Sequence, residues 1–275
     1  MTKPNLEQTL LMQVIEDDCL IETSVSMDYP PVAISFGEKL IKSHKGDSLL
    51  PIPIGTYGNF SFVQAPPKTK KTFFVSLLAS VYLSGKNHFG GNIKGHRDGR
   101  CLMHFDTEQG KWHAQRVFKR ALDMSNCEDA CYYTYGLRTI DYKMRIQFIE
   151  YCLQTKKKAG LVIIDGIADL VSDVNNLEES NSCVQKLMEW SAKFNCHILC
   201  VIHSNFGNDK PTGHLGSFLE KKTETQIQLE ANTVNKEWVT VKCKRSRGYA
   251  FETFSFQVND IGLPEIVGDL YDPLK

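Results

Sequence analysis

The run AGLVIID, from Ala159 to Asp165, constrains the fold more than any other stretch of the chain. It is apolar without alternation and ends on an acid. A strand with one wet face alternates, whereas a continuously apolar strand is covered on both faces, as in the middle of a parallel sheet. His197 to His203 (HILCVIH) repeats the pattern, and Phe60 to Val63 and Cys101 to Phe105 are shorter runs of the same kind. Tyr132 to Tyr135 reads as a further strand. Helical spacing fills the gaps: Phe73, Phe74, Leu77 and Leu78; a helix with Trp112, Val117 and Leu122 on one face; Tyr142 to Gln154; and a helix closing over Leu187 to Phe194. Beyond His203 the pattern changes, and Thr225 to Leu229, Trp238 to Cys243 and Phe251 to Val258 alternate as antiparallel strands do. Strands alternating with helices imply βαβ crossovers. The expected fold is α/β, a three-layer core with a mainly parallel central sheet, ending in antiparallel strands.

Between the strand at Phe60 and the helix at Phe73 lies the loop Ala65 to Thr72, APPKTKKT. It follows the layout G-x-x-x-x-G-K-[ST], in which consecutive backbone N–H groups converge on phosphate at a helix N-terminus. Lys71 and Thr72 stand where the β/γ-phosphate lysine and the Mg²⁺ hydroxyl belong. Ala65 and Lys70 replace both glycines. Pro66 and Pro67 donate nothing, but they precede the stretch that wraps an anion, and the amides of Thr69 to Thr72 are intact. A non-glycine residue forced to positive φ at Lys70 costs roughly 1–2 kcal/mol. Positive charge from Lys68, Lys70 and Lys71 offsets that strain once an anion is bound. The rival reading is a strand-to-helix turn that is merely lysine-rich.

Three more groups fall at strand carboxyl ends, where open α/β sheets bind ligands: Glu108, Asp165 and His203. Taken singly, Asp165 reads equally well as a helix cap, Glu108 as dipole compensation and His203 as an edge histidine. Their order and joint placement point instead to phosphoryl-transfer chemistry. In that scheme Lys71 neutralises the β/γ-phosphates, Thr72 and Asp165 hold Mg²⁺, Glu108 orients or deprotonates the attacking water, and His203 senses the γ-phosphate.

This order of motifs resembles the RecA-like P-loop ATPase core of hexameric helicases, and more narrowly the RepA-like and KaiC-like group carried by plasmids and mobile elements. The resemblance covers roughly residues 50–260. FDTEQGKWHAQRVFKR is similar to the segment after the second core strand, GLVIIDGIADLV to the Walker B strand, and HSNFGNDKPTGHLGSFLEKKTETQIQLE to the family's histidine, glycine-rich loop and helix. Against the common GPPGTGKT loop, APPKTKKT keeps five of eight positions and no glycine. The resemblance implies a RecA-like fold and an ATPase with ATP and Mg²⁺ as its cofactors, the nucleotide held by Ala65, Lys68, Thr69, Lys70, Lys71 and Thr72. It implies a ring, six subunits being the expected number, with Lys244 or Arg247 reaching a neighbour's nucleotide. It also implies that Asn205 to Ser217 faces single-stranded DNA, with Lys210 and His214 as contacts. A non-hydrolysing structural or regulatory DNA-associated subunit and a recombinase-like filament former are the alternatives.

Composition narrows the setting. Lysine plus arginine equals aspartate plus glutamate at 32 each, so DNA contact rests on a local patch rather than a global field. No apolar run approaches the roughly 18 residues that span a membrane, and the N-terminus lacks a signal-peptide core. Nine cysteines, an odd number mostly in apolar segments, read as a reduced cytoplasmic set. No histidine–cysteine group completes a zinc site. Gly85 to Gly99 is glycine-rich and basic and reads as a mobile loop. Residues 1–48 are expected to be an N-terminal amphipathic helix and lead-in segment, and residues 49–275 the ATPase domain; Pro30 to Gly58 carries short β-like pieces, Val32 to Phe36 and Leu49 to Ile54, that read as packing on the core edge.

Overall fold

The structure, a computed structural model, describes residues 5–42, 46–85, 92–128, 130–205 and 209–267. The chain falls into two compact units, Met1–Pro30 and Pro31–Lys275. The first is built on α1 (Leu6–Cys19), whose N-terminus is closed by a capping box: Asn5 Oδ1 accepts from the Gln8 amide at 2.8 Å and Gln8 Oε1 from the Asn5 amide at 3.2 Å. None of its residues is buried.

The second unit runs β1 (Val32–Ile41), β2 (Ser48–Thr56), β3 (Phe60–Ala65), α2 (Lys71–Ser84), β4 (Ile93–Gly95), β5 (Cys101–Asp106), α3 (Lys111–Ser125), β6 (Tyr132–Gly136) and α4 (Tyr142–Thr155). It continues through β7 (Ala159–Asp165), a 3₁₀ turn (Ile167–Leu170), α5 (Leu177–Lys193), β8 (His197–His203), α6 (Gly213–Lys222), β9 (Thr225–Ala231), β10 (Val239–Ser246), β11 (Phe254–Val258) and β12 (Pro264–Val267). Nine strands form the main sheet in the order β12-β11-β10-β9-β3-β8-β7-β5-β6. Neighbours from β9 to β6 are parallel, and β10, β11 and β12 extend the sheet antiparallel.

The unbroken apolarity of β7 has the predicted cause. Leu161 and Ile163 pack into the layer that holds α2 and α3, and Val162 and Ile164 into the layer that holds α4, α5 and α6. The fold is therefore three-layered and α/β, as expected. Among the described residues no helix is long and apolar enough to cross a membrane, and no cluster of histidine, cysteine and acidic side chains forms a metal cage.

Several expectations are corrected. The β-like pieces of the lead-in are strands β1 and β2, and their Ile34, Phe36 and Ile54 join the same core as α2 as expected; what differs is that they form a separate sheet with β4, ordered β2-β1-β4. Because β1 pairs with β2 from Val32–Thr56 to Ile41–Ser48, a boundary at 48/49 would cut this hairpin; the compact unit begins at Pro31. In the glycine-rich stretch 85–99, residues 86–91 lie outside the described residues, and Ile93–Gly95 is a strand. Gly95 is required there, because a Cβ would meet the Val81 carbonyl oxygen of α2 at 2.4 Å. Strand β9 is parallel to β3, not part of the antiparallel set, since α6 carries the chain from β8 across to the far side of β3. The α3 face is buried at Ala114, Val117, Ala121 and Met124, while Trp112 and Leu122 are exposed. Finally, two cysteines are not reduced. The register that sets Leu102 against Tyr132 places Cys101 beside Cys131 across two strands, and they form a disulfide.

One buried acid ties the layers together. The Glu224 carboxylate, at the α6–β9 junction, accepts from the Thr56 amide at 2.8 Å and the Thr56 hydroxyl at 2.7 Å. The His197 ring, opening β8, donates from Nδ1 to the Thr56 carbonyl at 2.9 Å. Glu224→Ala strands two buried donors and is expected to cost roughly 2–3 kcal/mol, a melting-temperature loss of about 5–10 °C; thermal unfolding at pH 7 checks this.

Candidate functional site

The strand order sets β3, β8, β7 and β5 side by side, so their carboxyl ends deliver four loops to one edge of the sheet. From β3 comes the Ala65–Thr72 loop. Lys68 (φ 66°) and Lys70 (φ 54°) both lie in the left-handed region. These are the fourth and sixth loop positions, both glycine in GPPGTGKT, so two lysines hold the backbone where glycines usually do. The Lys70 strain was expected; that at Lys68 was not. Thr69 Oγ1 donates to the Pro66 carbonyl at 2.7 Å, locking the turn. Helix α2 follows with Lys70 as its N-cap residue and no side chain capping it. Among the described residues nothing accepts a hydrogen bond from the amides of Lys68 to Thr72, so they are open donors at a helix N-terminus. The Lys70 ammonium points elsewhere, donating to the Glu237 carbonyl at 2.6 Å.

Lys71, nearly buried, reaches across to the neighbouring strand ends. Its Nζ lies 3.3 Å from His203 Nε2 on β8 and 3.7 Å from Glu108 Oε1 beyond β5. His203 Nε2 accepts from the ammonium when it is unprotonated and donates toward Glu108 when it is protonated. Glu108 Oε1 is 3.7 Å from the same ring nitrogen. The His203 imidazole first, and the Lys71 ammonium after it, hold the Glu108 carboxyl below its usual range against the opposing effect of burial. Glu108 is therefore ionised at neutral pH.

Asp165 ends β7 between them. It is buried, and neither carboxylate oxygen has a hydrogen-bond partner. Burial pushes its carboxyl up to about 7; Lys71 pulls it down, and Asp106 and Glu108 push it further up. A buried carboxylate without donors is costly unless a cation meets it. Asp165 and the Thr72 hydroxyl are hard oxygen donors of the kind Mg²⁺ takes. The residues present thus fit the metal.

Three contributors were missed from sequence. Asp106, in register with Asp165, accepts from the amides of Glu108 (3.1 Å) and Gln109 (2.7 Å) and from Gln109 Nε2 (2.9 Å). It thereby fixes the turn that presents Glu108. The Thr107 hydroxyl bridges to the carbonyls of Asp165 (3.0 Å) and Gly166 (2.9 Å), locking the two strand ends together. Gly166 sits at φ 103°, and a Cβ there would meet Thr107 Oγ1 at 2.2 Å. An acid two residues before Glu108 was the only visible signal, and it reads as an ordinary strand end.

The remaining expected residues are not drawn into this cluster. On β10, Lys244 donates to the Asp209 carbonyl, and past that strand Arg247 donates to the Lys222 carbonyl at 2.7 Å. His214 lies exposed on α6. The Lys210 carbonyl accepts from the Asn205 amide at 2.8 Å, and Thr212 returns the chain to β8 by donating its amide and hydroxyl to the His203 carbonyl. Residues 206–208 of the expected DNA loop lie outside the described residues.

A family model described as an AAA domain matches residues 52–209, a span that holds the loop, Glu108, Asp165 and His203. No curated protein matches the chain.

Asp165 generates a prediction with a definite sign. Its folded pKa of about 7 lies above its unfolded value near 3.9. The folded chain therefore holds the extra proton between about pH 4 and 7, and stability falls as pH rises through that window. Asp165→Asn is expected to raise the melting temperature by roughly 5 °C or more at pH 8 and by little at pH 5, read by scanning calorimetry without nucleotide.

Proposed function

With more than half of the chain matched, the protein belongs to the AAA domain family, whose members are P-loop ATPases, and from that premise we propose that it binds and hydrolyses ATP at the Lys71 cluster and couples turnover to single-stranded DNA. The observation that carries this is the convergence of Lys71, Glu108, His203 and the unpartnered Asp165 at four adjacent strand ends.

Each residue then has a task. The open amides of Lys68 to Thr72 and the Lys71 ammonium hold the phosphates, with Ala65 turning the chain into the loop. Thr72 and Asp165 hold Mg²⁺, which supplies charge neutralisation at the phosphate oxygens. Glu108, ionised and aimed by Asp106, orients the attacking water and takes its proton. In the nucleotide-free chain Lys71 is engaged by Glu108 and His203. Phosphate competes for that ammonium, so its arrival frees Glu108 for water and changes the partner of His203. The His203 carbonyl anchors Thr212, which gives a direct route from the phosphate to the segment carrying Lys210 and His214. Those two side chains are the proposed DNA contacts. Lys244 and Arg247, held by backbone carbonyls within the chain, are the proposed groups offered to a neighbour in a six-membered ring. By resemblance the setting is replication, mobilisation or repair of a mobile element.

Turnover measured with and without single-stranded DNA tests the reading. DNA is expected to stimulate hydrolysis, Glu108→Gln to lower kcat by about 100-fold or more with KM little changed, and Lys210→Ala with His214→Ala to remove the stimulation and reduce the salt dependence of DNA binding. Absence of turnover at every DNA concentration would leave a non-hydrolysing subunit instead.

A further inference from the structure

Under the start of the phosphate loop lies a buried polar chain that the proposed mechanism does not use. Gln64 precedes Ala65 on β3, and its side chain shares the sheet face of Phe60 and Phe62, turned away from α2 and toward α6. It is fully buried. Its Nε2 donates to the Asp209 carbonyl at 2.8 Å, and its Oε1 accepts from Gln226 Nε2 on β9 at 2.7 Å. Gln226, equally buried, also donates from Nε2 to Glu220 Oε1 on α6 at 2.9 Å. A backbone carbonyl only accepts, so Gln64 Nε2 must face Asp209 and Gln64 Oε1 must face Gln226.

Such a chain costs stability in a sheet interior. Gln226 Oε1 is left buried without a partner, and apolar side chains would fill the same space without that cost. What the chain achieves is a fixed position for the segment after β8. Three contacts tie the rest of that segment to the end of β8: the Ser204–Pro211 bridge, the Lys210 carbonyl on the Asn205 amide, and Thr212 on the His203 carbonyl. Gln64 ties Asp209 instead to β3, one residue before the phosphate loop. The Lys244 ammonium donates to the same Asp209 carbonyl from β10. If Lys244 turns to a neighbour's nucleotide, Gln64 keeps that carbonyl in place.

We propose that Gln64 is a positioning residue that holds Asp209, and with it Lys210, in register with the first residue of the phosphate loop, while Gln226 and Glu220 lock its amide. A shift of the loop on phosphate binding then moves Asp209 through one side chain, by a route separate from His203. The tether itself stands without the ATPase reading; its part in passing the nucleotide state to DNA rests on that reading.

Hydrogen exchange of the full chain, without nucleotide or DNA, tests the tether at the Asn205 and Thr212 amides. Gln64→Met keeps the length of the side chain and removes both of its bonds. Exchange at the two amides is then expected to rise about tenfold relative to the amides of β7. Glu220→Ala, at a half-exposed position of α6, frees Gln226 without opening the core and is expected to raise exchange about threefold. In turnover assays Gln64→Met is expected to need roughly tenfold more single-stranded DNA for half-maximal stimulation, with the rate without DNA changed less than about twofold. Unchanged exchange in both variants overturns the proposal, and so does faster exchange with DNA stimulation unaltered. No turnover in the unaltered chain removes the ATPase reading alone, and exchange then decides the tether.

Discussion

A carboxylate buried at the end of a central strand without a single hydrogen-bond donor is the feature on which the rest of the site depends. Asp165 sits where four parallel strands end together, its charge opposed by burial and by two neighbouring acids and favoured chiefly by Lys71. Such an arrangement lowers the stability of the empty fold. It persists in structures mostly where a cation or ligand later completes it. The surrounding contacts all serve to hold that unsatisfied position in place. Thr107 fastens the β5 end to the β7 end, Gly166 permits the close approach, and Asp106 spends its own oxygens on the turn that carries Glu108.

The second constraint is conformational. A phosphate loop needs backbone N–H groups that converge, and convergence needs left-handed residues at set positions. Glycine normally supplies them without strain. Here Lys68 and Lys70 supply them at a cost of order 1–2 kcal/mol each. The geometry is therefore retained although the chemistry of the letters has changed. The lysines also direct charge differently from one another: Lys71 turns inward to the strand ends, whereas Lys70 is tied back to the turn before β10.

Much of this was legible in the sequence, and for a physical reason. Continuous apolarity marks a strand covered on both faces, and β7 and β8 run over the residues that their apolar runs define. Residues that end such strands necessarily share an edge of the sheet, so the meeting of Lys71, Glu108, Asp165 and His203 could be anticipated from order alone. What could not be read depends on register and long-range pairing. The parallel pairing of β9 with β3, the assembly of β1, β2 and β4 into a separate sheet, and the juxtaposition of Cys101 with Cys131 all follow from which strands become neighbours. Asp106 escaped notice because its role is visible only through the amides it caps. On α3, Trp112 and Leu122 each stand five residues from Val117, about 140° around the helix, so they face outward while Ala114, Val117, Ala121 and Met124 face the core.

The most direct measurement of the central claim is calorimetric titration of the purified chain with a non-hydrolysable ATP analogue and Mg²⁺, beside Lys71→Ala. Micromolar, Mg²⁺-dependent binding that vanishes in the substituted protein is the predicted result, because the ammonium and the open loop amides act on the same phosphates. Heat at baseline for both proteins, or equal binding by both, would contradict the claim that this strand-end cluster is a phosphate site.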